Sequence, residues 1–243
     1  MRKTAQNYEI KVQSSGGSSH RPSGGSGGGG TKPTQPTKPE QPTKPVEPQQ
    51  PEQSTEPVMN FTDVSPEGWF YNEVLWVFTE KLMQGNGDGT FGPNNPTSPA
   101  ALVTVLARLS GADLTTYANE SYADVIENKW YSDYAKWAKG NGLLGEIAFE
   151  ADSTISRSNI AQILLKYLQA LGVELPQVEQ PQQFADAERM TAEENANFQI
   201  LYALGIFQGN GDNSMNSQGA TTRAELAALL HRVSNALILA EQI

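Results

Sequence analysis

One short pattern recurs three times in this chain and divides most of it into units of equal length. The stretches "FTDV", "YADV" and "FADA" begin at Phe61, Tyr122 and Phe184, at intervals of 61 and 62 residues. A fixed period of this size indicates tandem structural repeats, each of which buries its apolar face against its neighbours. The predicted divisions are a leading segment over 1–59 and repeats 1, 2 and 3 over 60–119, 120–181 and 182–243.

Each repeat carries the pattern of two helices joined by a loop. The first helix ends at a Gly-containing turn, "KLMQG", "GLLG" or "GIFQG", because glycine tolerates positive φ at a helix exit. The second follows Ser98, Ser156 or Thr222, which are favourable N-cap residues. Positions 4, 7, 8 and 11 after each cap form one apolar helical face, made of Leu102, Val105, Leu106, Leu109, Ile160, Ile163, Leu164, Tyr167, Leu226, Leu229, Leu230 and Val233. We predict an all-α fold of three tandem helix-loop-helix repeats in a pseudo-threefold bundle.

Residues 1–59 differ in composition from the repeats. They are rich in Gly and Ser, and then contain Pro at nearly every third position of "TKPTQPTKPEQPTKPVEPQQPEQ". Such a segment lacks the apolar side chains that a core requires, so we predict a disordered linker with an extended proline-rich part. The stretch "MRKTAQNYEIKVQ" lacks the apolar centre of a signal peptide. We therefore expect the export signal to lie upstream.

The charge distribution argues against several classes of partner. Residues 61–243 carry 10 Lys and Arg against 22 Asp and Glu, a net charge of −12, which disfavours nucleic acid as a partner. No stretch reaches the roughly 20 apolar residues of a membrane-spanning helix. The sequence has no cysteine, which excludes disulfides and thiolate metal sites.

The motifs of the repeats resemble those of the S-layer homology (SLH) domain, which usually occurs as three tandem copies in bacterial cell-envelope proteins. The shared motifs are F/Y-x-D-V, a Trp eight residues further on, G-I-x-x-G, and T-R-A-E before an apolar helix, and they extend over 61–237. The resemblance is strong in "TTRAELAALL", fair in "ISRSNIAQIL" and partial in "TSPAALVTVL". It implies a three-pronged helical fold that binds secondary cell-wall polysaccharide, often a pyruvylated terminal sugar, in grooves between repeats.

On this resemblance we expect a non-enzymatic module that anchors a larger exported protein to the cell wall or S-layer. We expect a monomeric triplet of repeats that needs no cofactor or metal. The alternative is a protein–protein interaction or surface-assembly module whose glycan grooves have degenerated, because the repeats depart from the family pattern in places. Binding to purified walls, with and without extraction of the polysaccharide, separates these two hypotheses.

Two arginines are the predicted anion-binding residues. Thr222 and Glu225 have the spacing of a capping box, in which each side chain bonds the other residue's backbone. Arg223, at the first helical position, is not needed for that cap. We expect it to point outward beside the positive helix terminus and to bind a carboxylate through two bonds. Arg157 is its counterpart in repeat 2, whereas Pro99 in repeat 1 has neither charge nor donor, so we expect two competent grooves at most.

Other predicted ligand contacts come from the start and the turn of each repeat. The aspartates that open the repeats fit either a turn or capping role or the recognition of sugar hydroxyls. The tryptophans eight residues after two repeat starts fit either the core or a stacking platform for a sugar, and repeat 3 has Ala192 at that position. Backbone at the glycine turns completes the set. These candidates are Asp63, Asp124, Asp186, Trp69, Trp130, Gly145 and Gly209.

Rival motifs in the sequence are weak. "GDGTFG" matches a dinucleotide-binding pattern but follows a helix rather than a strand. "GNGDGT" lacks the alternating carboxylates and closing Glu of a calcium loop, and "GGSGG" places a hydrolase-like serine within the linker. His20 also lies in the linker, and we expect His231 on a helix surface. The sequence offers no catalytic constellation.

Overall fold

The computed structural model describes residues 59–240, and these contain six α-helices, two short 3-10 helices and no β-strand. The α-helices are α1 (Tyr71–Thr79), α2 (Pro99–Leu109), α3 (Ser132–Gly140), α4 (Arg157–Ala170), α5 (Ala192–Ala203) and α6 (Arg223–Ala240). The 3-10 helices are Leu114–Tyr117 and Ala187–Arg189. The all-α prediction is confirmed. The linker prediction for 1–59 lies outside the described residues, apart from Met59.

The predicted N-caps begin the second helix of each repeat. Ser98 Oγ accepts a hydrogen bond from the Ala101 amide at 3.3 Å, and Ser156 Oγ accepts one from Asn159 at 3.2 Å. Thr222 Oγ1 likewise accepts from the amide of Glu225, whose carboxylate Oε2 in turn accepts from the Thr222 amide. The capping box at α6 is therefore confirmed. All twelve residues of the predicted apolar face are buried in the core.

The helices pack in a cyclic order along the chain. Helix α3 packs against α2, α5 packs against α4, and α1 packs against α6. The first helix of predicted repeats 2 and 3 therefore packs on the second helix of the preceding repeat. The first helix of repeat 1, α1, packs on the last helix, α6. The division into three repeats, with its boundaries, stays a prediction.

The contact between α1 and α6 involves a histidine expected on a helix surface. The ring of His231 in α6 stacks on Trp76 of α1, with ring centroids 4.6 Å apart and planes 13° from parallel. His231 Nδ1 lies 2.5 Å from Oε2 of Glu73. The side chain is 32% exposed on α6, and its contacts also join the first and last predicted repeats. Among the helices of 59–240, none is long and apolar enough to cross a membrane.

The residues just before the three N-caps are bonded to one another. Thr97, Ile155 and Thr221 occupy this position and are all buried. The Thr97 amide donates to the Thr221 carbonyl at 2.8 Å, and the Ile155 amide donates to the Thr97 carbonyl at 3.1 Å. These bonds hold the starts of the three second helices together.

Candidate functional site

A cavity of about 260 Å³ opens where the three predicted repeats meet, and we call it the inter-repeat groove. Repeat 1 contributes Trp69 and repeat 2 contributes Arg157. Repeat 3 contributes a turn and one face of α6. The residues of repeat 3 in the lining are Phe207, Gln208, Gly209, Asn210, Glu225, Ala228, Leu229 and Arg232. Three predicted site residues, Trp69, Arg157 and Gly209, thus line one groove.

Arg157 lies at the base of this groove with only 7% of its surface exposed. Its Nε donates to the Met215 carbonyl at 2.8 Å, and the guanidinium lies 5.1 Å from the centre of the Phe207 ring. Its Nη1 is 3.9 Å from Oε1 of Glu225. Burial lowers the pKa of Arg157, while the charge of Glu225 opposes that effect. A guanidinium keeps its charge at physiological pH, so the groove holds a buried cation with a carboxylate beside it.

Arg223 occupies the corresponding position against repeat 1. Its Nε donates to the Phe91 carbonyl at 2.9 Å and its Nη2 to the Gln84 carbonyl at 2.8 Å. The guanidinium stacks 4.6 Å from the centre of the Phe91 ring, and burial lowers the pKa of Arg223. The expected outward orientation of Arg223 is wrong, and Arg157 is likewise turned onto the neighbouring repeat. Planar, multiply donating guanidinium groups suit an aromatic face edged by carbonyl oxygens, and the neighbouring repeat supplies that surface.

The starts of α4 and α6 attract an anion less than expected, because their first backbone amides already donate hydrogen bonds. The first two amides of α4 donate to the carbonyls of Gly219 and Ser217, at 3.0 and 2.8 Å. Those of α6 donate to Asn95 and Pro93, at 2.9 and 3.0 Å. These amides would otherwise be the donors available to an anion. Attraction for an anion in the groove therefore depends on side chains.

Both predicted tryptophans are exposed rather than buried. Trp69 is 64% exposed and Trp130 is 61% exposed. Each indole meets the next aromatic ring edge to face, Trp69 with Phe70 at 5.4 Å and Trp130 with Tyr131 at 5.5 Å. The interpretation of these residues as core is wrong. Trp69 lines the inter-repeat groove, and Trp130 is not part of its lining.

The aspartates that open the repeats tie down the loop of their own repeat. Asp63 accepts from the amides of Phe91 and Gly92 at 2.8 and 2.7 Å, using both oxygens. Asp186 makes the same pair of bonds to the amides of Met215 and Asn216, at 2.9 and 2.7 Å. This geometry matches the predicted turn role of these aspartates, and both oxygens of each carboxylate already accept a hydrogen bond.

Asp124 makes a related but different set of contacts in repeat 2. Its Oδ2 accepts from the Phe149 amide at 3.1 Å and pairs with Lys139 Nζ at 2.8 Å. Partial burial raises the pKa of Asp124, but the contacts with Lys139 and Phe149 outweigh it and place the pKa below its ordinary value. This carboxylate is therefore also committed to the fold.

The two "GNGD" stretches build the same turn. The Asn86 amide donates to the Thr90 carbonyl and Asp88 Oδ1 accepts from the Thr90 amide, at 2.8 and 2.9 Å. Asn210, Asp212 and Ser214 repeat this arrangement at 2.8 and 3.0 Å.

Gly209 has a φ of +71°, and a Cβ there would lie 3.0 Å from the Ser214 carbonyl oxygen. The turn therefore brings bare backbone to the rim of the inter-repeat groove. Gly145 has a φ of +54°, and a Cβ there would lie 2.8 Å from Nζ of Lys166. Gly145 thus faces α4 of its own repeat and does not line the inter-repeat groove.

Sequence reasoning missed Arg232, the second cation of the groove. Its Nη1 donates to the Ile206 carbonyl at 3.3 Å, and in repeat 1 Arg108 Nη1 donates to the Leu82 carbonyl at 2.9 Å. A signal was present, because a basic residue stands ten positions after each N-cap: Arg108, Lys166 and Arg232.

Two segments of the chain match a known family of domains. The S-layer homology domain model matches residues 60–98 and 183–227. The chain is 27% identical over 157 residues to the cellulosome-anchoring protein of Acetivibrio thermocellus, covering 62% of this chain and 35% of that protein. It is 26% identical over 174 residues to the S-layer protein sap of Bacillus anthracis, covering 70% of this chain and 20% of that protein.

A third relative has an enzyme's name. An uncharacterized cell wall amidase of Bacillus anthracis is 29% identical over 168 residues, covering 68% of this chain and 30% of that protein. The chain thus spans about a third or less of the length of these three relatives. That match covers only 30% of the amidase, so the activity in its name does not carry over to this chain.

The chain therefore contains S-layer homology domains and is a protein of the cell envelope, located at the cell wall or S-layer. At this general level its matched segments are structural modules for cell-wall anchoring. Residues 99–182, which include all of predicted repeat 2, lie between the two matched segments.

Proposed function

We propose that this chain anchors its polypeptide to the cell wall by binding secondary cell-wall polysaccharide in the inter-repeat groove. One observation carries the proposal: an exposed indole, Trp69, lines the same cavity as two guanidinium groups, Arg157 and Arg232. The apolar face of an aromatic ring suits the C–H surface of a sugar. A guanidinium suits a carboxylate on that sugar.

The depth of Arg157 favours a ligand with a protruding acidic group, such as a pyruvyl substituent. A carboxylate that contacts Arg157 loses most of its hydration, as the buried guanidinium already has. Hydrogen bonds to charged groups contribute about 1.5–3 kcal/mol. A neutral sugar would lack this contact and would bind through Trp69 and backbone alone.

We propose that the inter-repeat groove is the primary site, and that the counterpart around Arg223 is secondary. Two nitrogens of Arg223 are already bonded to carbonyls of repeat 1, whereas Arg157 makes one such bond. Pro99 leaves repeat 1 without the equivalent cation. Trp130, Gly145 and the three aspartates then serve the fold or the secondary groove rather than the primary site.

Pull-down on purified cell walls, before and after extraction of the polysaccharide, tests the proposal. Trp69→Ala should weaken wall binding about tenfold or more, as expected for a tryptophan at the centre of an interface. Trp130→Ala is the matched control, since that indole is equally exposed but lies outside the groove. Equal losses in the two variants, or wild-type binding to extracted walls, would contradict the proposal.

A second candidate is a protein-interaction module, and one observation favours it. Ile126 and Trp130 are 60% and 61% exposed and lie in the same loop of repeat 2. Exposed apolar side chains that cluster often mark protein contacts. Binding that persists on polysaccharide-free walls and is lost in Ile126→Ser would support this candidate over glycan binding.

A further inference from the structure

The inter-repeat groove contains a carboxylate as well as two cations. Glu225 lines it from α6, with its side chain partly exposed. Oε2 of Glu225 accepts from the amide and hydroxyl of Thr222, at 2.7 and 3.0 Å. Oε1 instead faces Nη1 of Arg157 at 3.9 Å. The two oxygens thus serve different purposes, one at the helix cap and one toward the cation.

The helix cap alone does not account for a negative charge at this position. Glutamine completes a capping box as glutamate does. The corresponding residues of α2 and α4 are Ala101 and Asn159, both uncharged, and those helices are capped by their serines. The carboxylate is present in the one helix whose start faces Arg157.

We propose that Glu225 is a specificity-determining residue that competes with the ligand for Arg157 and makes the groove selective for singly charged sugar acids over doubly charged sugar phosphates. This inference rests on the proposed function. With Arg157, Arg232 and Glu225, the charged side chains of the groove carry a net charge of one positive unit. A monoanion neutralises that charge. A dianion leaves an excess negative charge beside a carboxylate.

Glu225 also offsets part of the burial of Arg157. A buried guanidinium without a counter-charge destabilises the fold, so removal of the carboxylate should lower stability while it raises the attraction for an anionic ligand. A residue that served only the cap would lower stability without changing which ligand is preferred. The two roles therefore predict different results.

The experiment uses the full chain and three forms of one sugar: glucose, glucuronate and glucose 6-phosphate. Binding is followed by NMR titration of the Trp69 indole N–H at pH 7.5. Wild type should bind glucuronate in preference to glucose 6-phosphate. One unit charge at about 4 Å in water contributes roughly a fivefold factor, so Glu225→Gln should bind glucuronate about five times more tightly. The gain for glucose 6-phosphate should be larger, and glucose should not change.

Glu194→Gln is the matched control. Glu194 completes a capping box with Thr191 at the start of α5 and lies outside the lining of the groove. The same chemical change there should leave all three affinities unchanged. Thermal unfolding without ligand should show a lower midpoint for Glu225→Gln than for wild type.

Arg232→Gln supplies a second test that does not depend on the folding of Glu225→Gln. It lowers the net charge of the groove by one unit, so it should weaken both acids and weaken the phosphate more. Unchanged ratios of phosphate to glucuronate affinity in both variants would overturn the inference, as would the absence of any Trp69 shift with the acids. Failure of the proposed function is distinguishable, because it appears as wall binding that is insensitive to Trp69→Ala.

Discussion

Two threonines just before N-caps bury a hydroxyl group that has no hydrogen-bond partner within residues 59–240. They are Thr97 and Thr221, and the third residue at this position is Ile155. An unpaired buried hydroxyl is unfavourable because it has given up its bonds to water. The isoleucine shows that an apolar β-branched side chain fits the same position of the fold.

Thr221→Val should therefore stabilise the protein, by about 1 kcal/mol, since it removes a desolvated hydroxyl and keeps the side-chain shape. The measurement is the midpoint of thermal unfolding. The neighbouring Thr222→Val is the control, and it should destabilise by about 1 kcal/mol because it removes the N-cap of α6. A lower midpoint for Thr221→Val would show that its hydroxyl is bonded in solution.

The sequence predicts some of these residue-level features and not others. The caps and the apolar face were predictable because both depend on spacing within a single helix. The direction of Arg157 and Arg223 was not, since their carbonyl acceptors lie 58 and 132 residues away along the chain. The exposure of Trp69 was open for the same reason, as it depends on which repeat lies opposite.

Helix α3 is tied to the start of its own repeat by the Asp124–Lys139 ion pair. The contacts of the charged form hold the pKa of Asp124 below its ordinary value of 3.8. A carboxyl with a lowered pKa stabilises the fold fully above its unfolded pKa. This contribution is lost as the pH falls through the lower, folded pKa.

Asp124→Asn should consequently be less stable than wild type at pH 7, by about 0.5–1 kcal/mol, as is usual for an exposed ion pair. The difference should disappear toward pH 2.5. Urea denaturation at both pH values measures it, and Asp152→Asn serves as a control at an exposed aspartate. A difference that persists undiminished in acid would contradict the assignment to the charged carboxyl.

The contact between α1 and α6 is the element-scale feature that joins the two ends of the described chain. Trp76 contributes a large, half-buried surface and the stack on His231. Trp76→Ala should destabilise by about 2–3 kcal/mol, somewhat below the loss for a fully buried aromatic residue. Thermal unfolding checks this, with Trp130→Ala as the control, because that exposed indole should cost much less.

The net negative charge of the whole molecule repels the proposed acidic ligand, although the charged side chains of the groove carry a net positive charge. The repeats are strongly acidic, and the expected ligand is an acidic polymer. Salt screens charges separated by more than about 8 Å at physiological ionic strength and affects a partly enclosed pair much less. Moderate salt should thus leave affinity for the polysaccharide level or improve it.

Binding of purified polysaccharide from low to moderate salt measures this effect, in wild type and in Arg157→Lys. The lysine variant keeps the charge but loses the planar donors, so it should bind more weakly with the same flat salt dependence. A steep loss of wild-type affinity with salt would instead indicate a basic surface that binds a polyanion nonspecifically.

The cyclic packing has a mechanical consequence for an anchor. A pull applied at residue 59 acts first on the bonds of Asp63 to the Phe91 and Gly92 amides. It then reaches Trp69, which stands just before α1. The α1–α6 contact resists the next stage of that pull, so tension that separates these helices would also move Trp69 out of the proposed sugar site. In single-molecule pulling on immobilised walls, Trp76→Ala should shorten the bound lifetime under force while leaving it unchanged at zero force. On the proposed function, detachment from the wall and the first step of unfolding would then be one event, and the lifetime of the attachment under force would depend on the contact between the first and last helices.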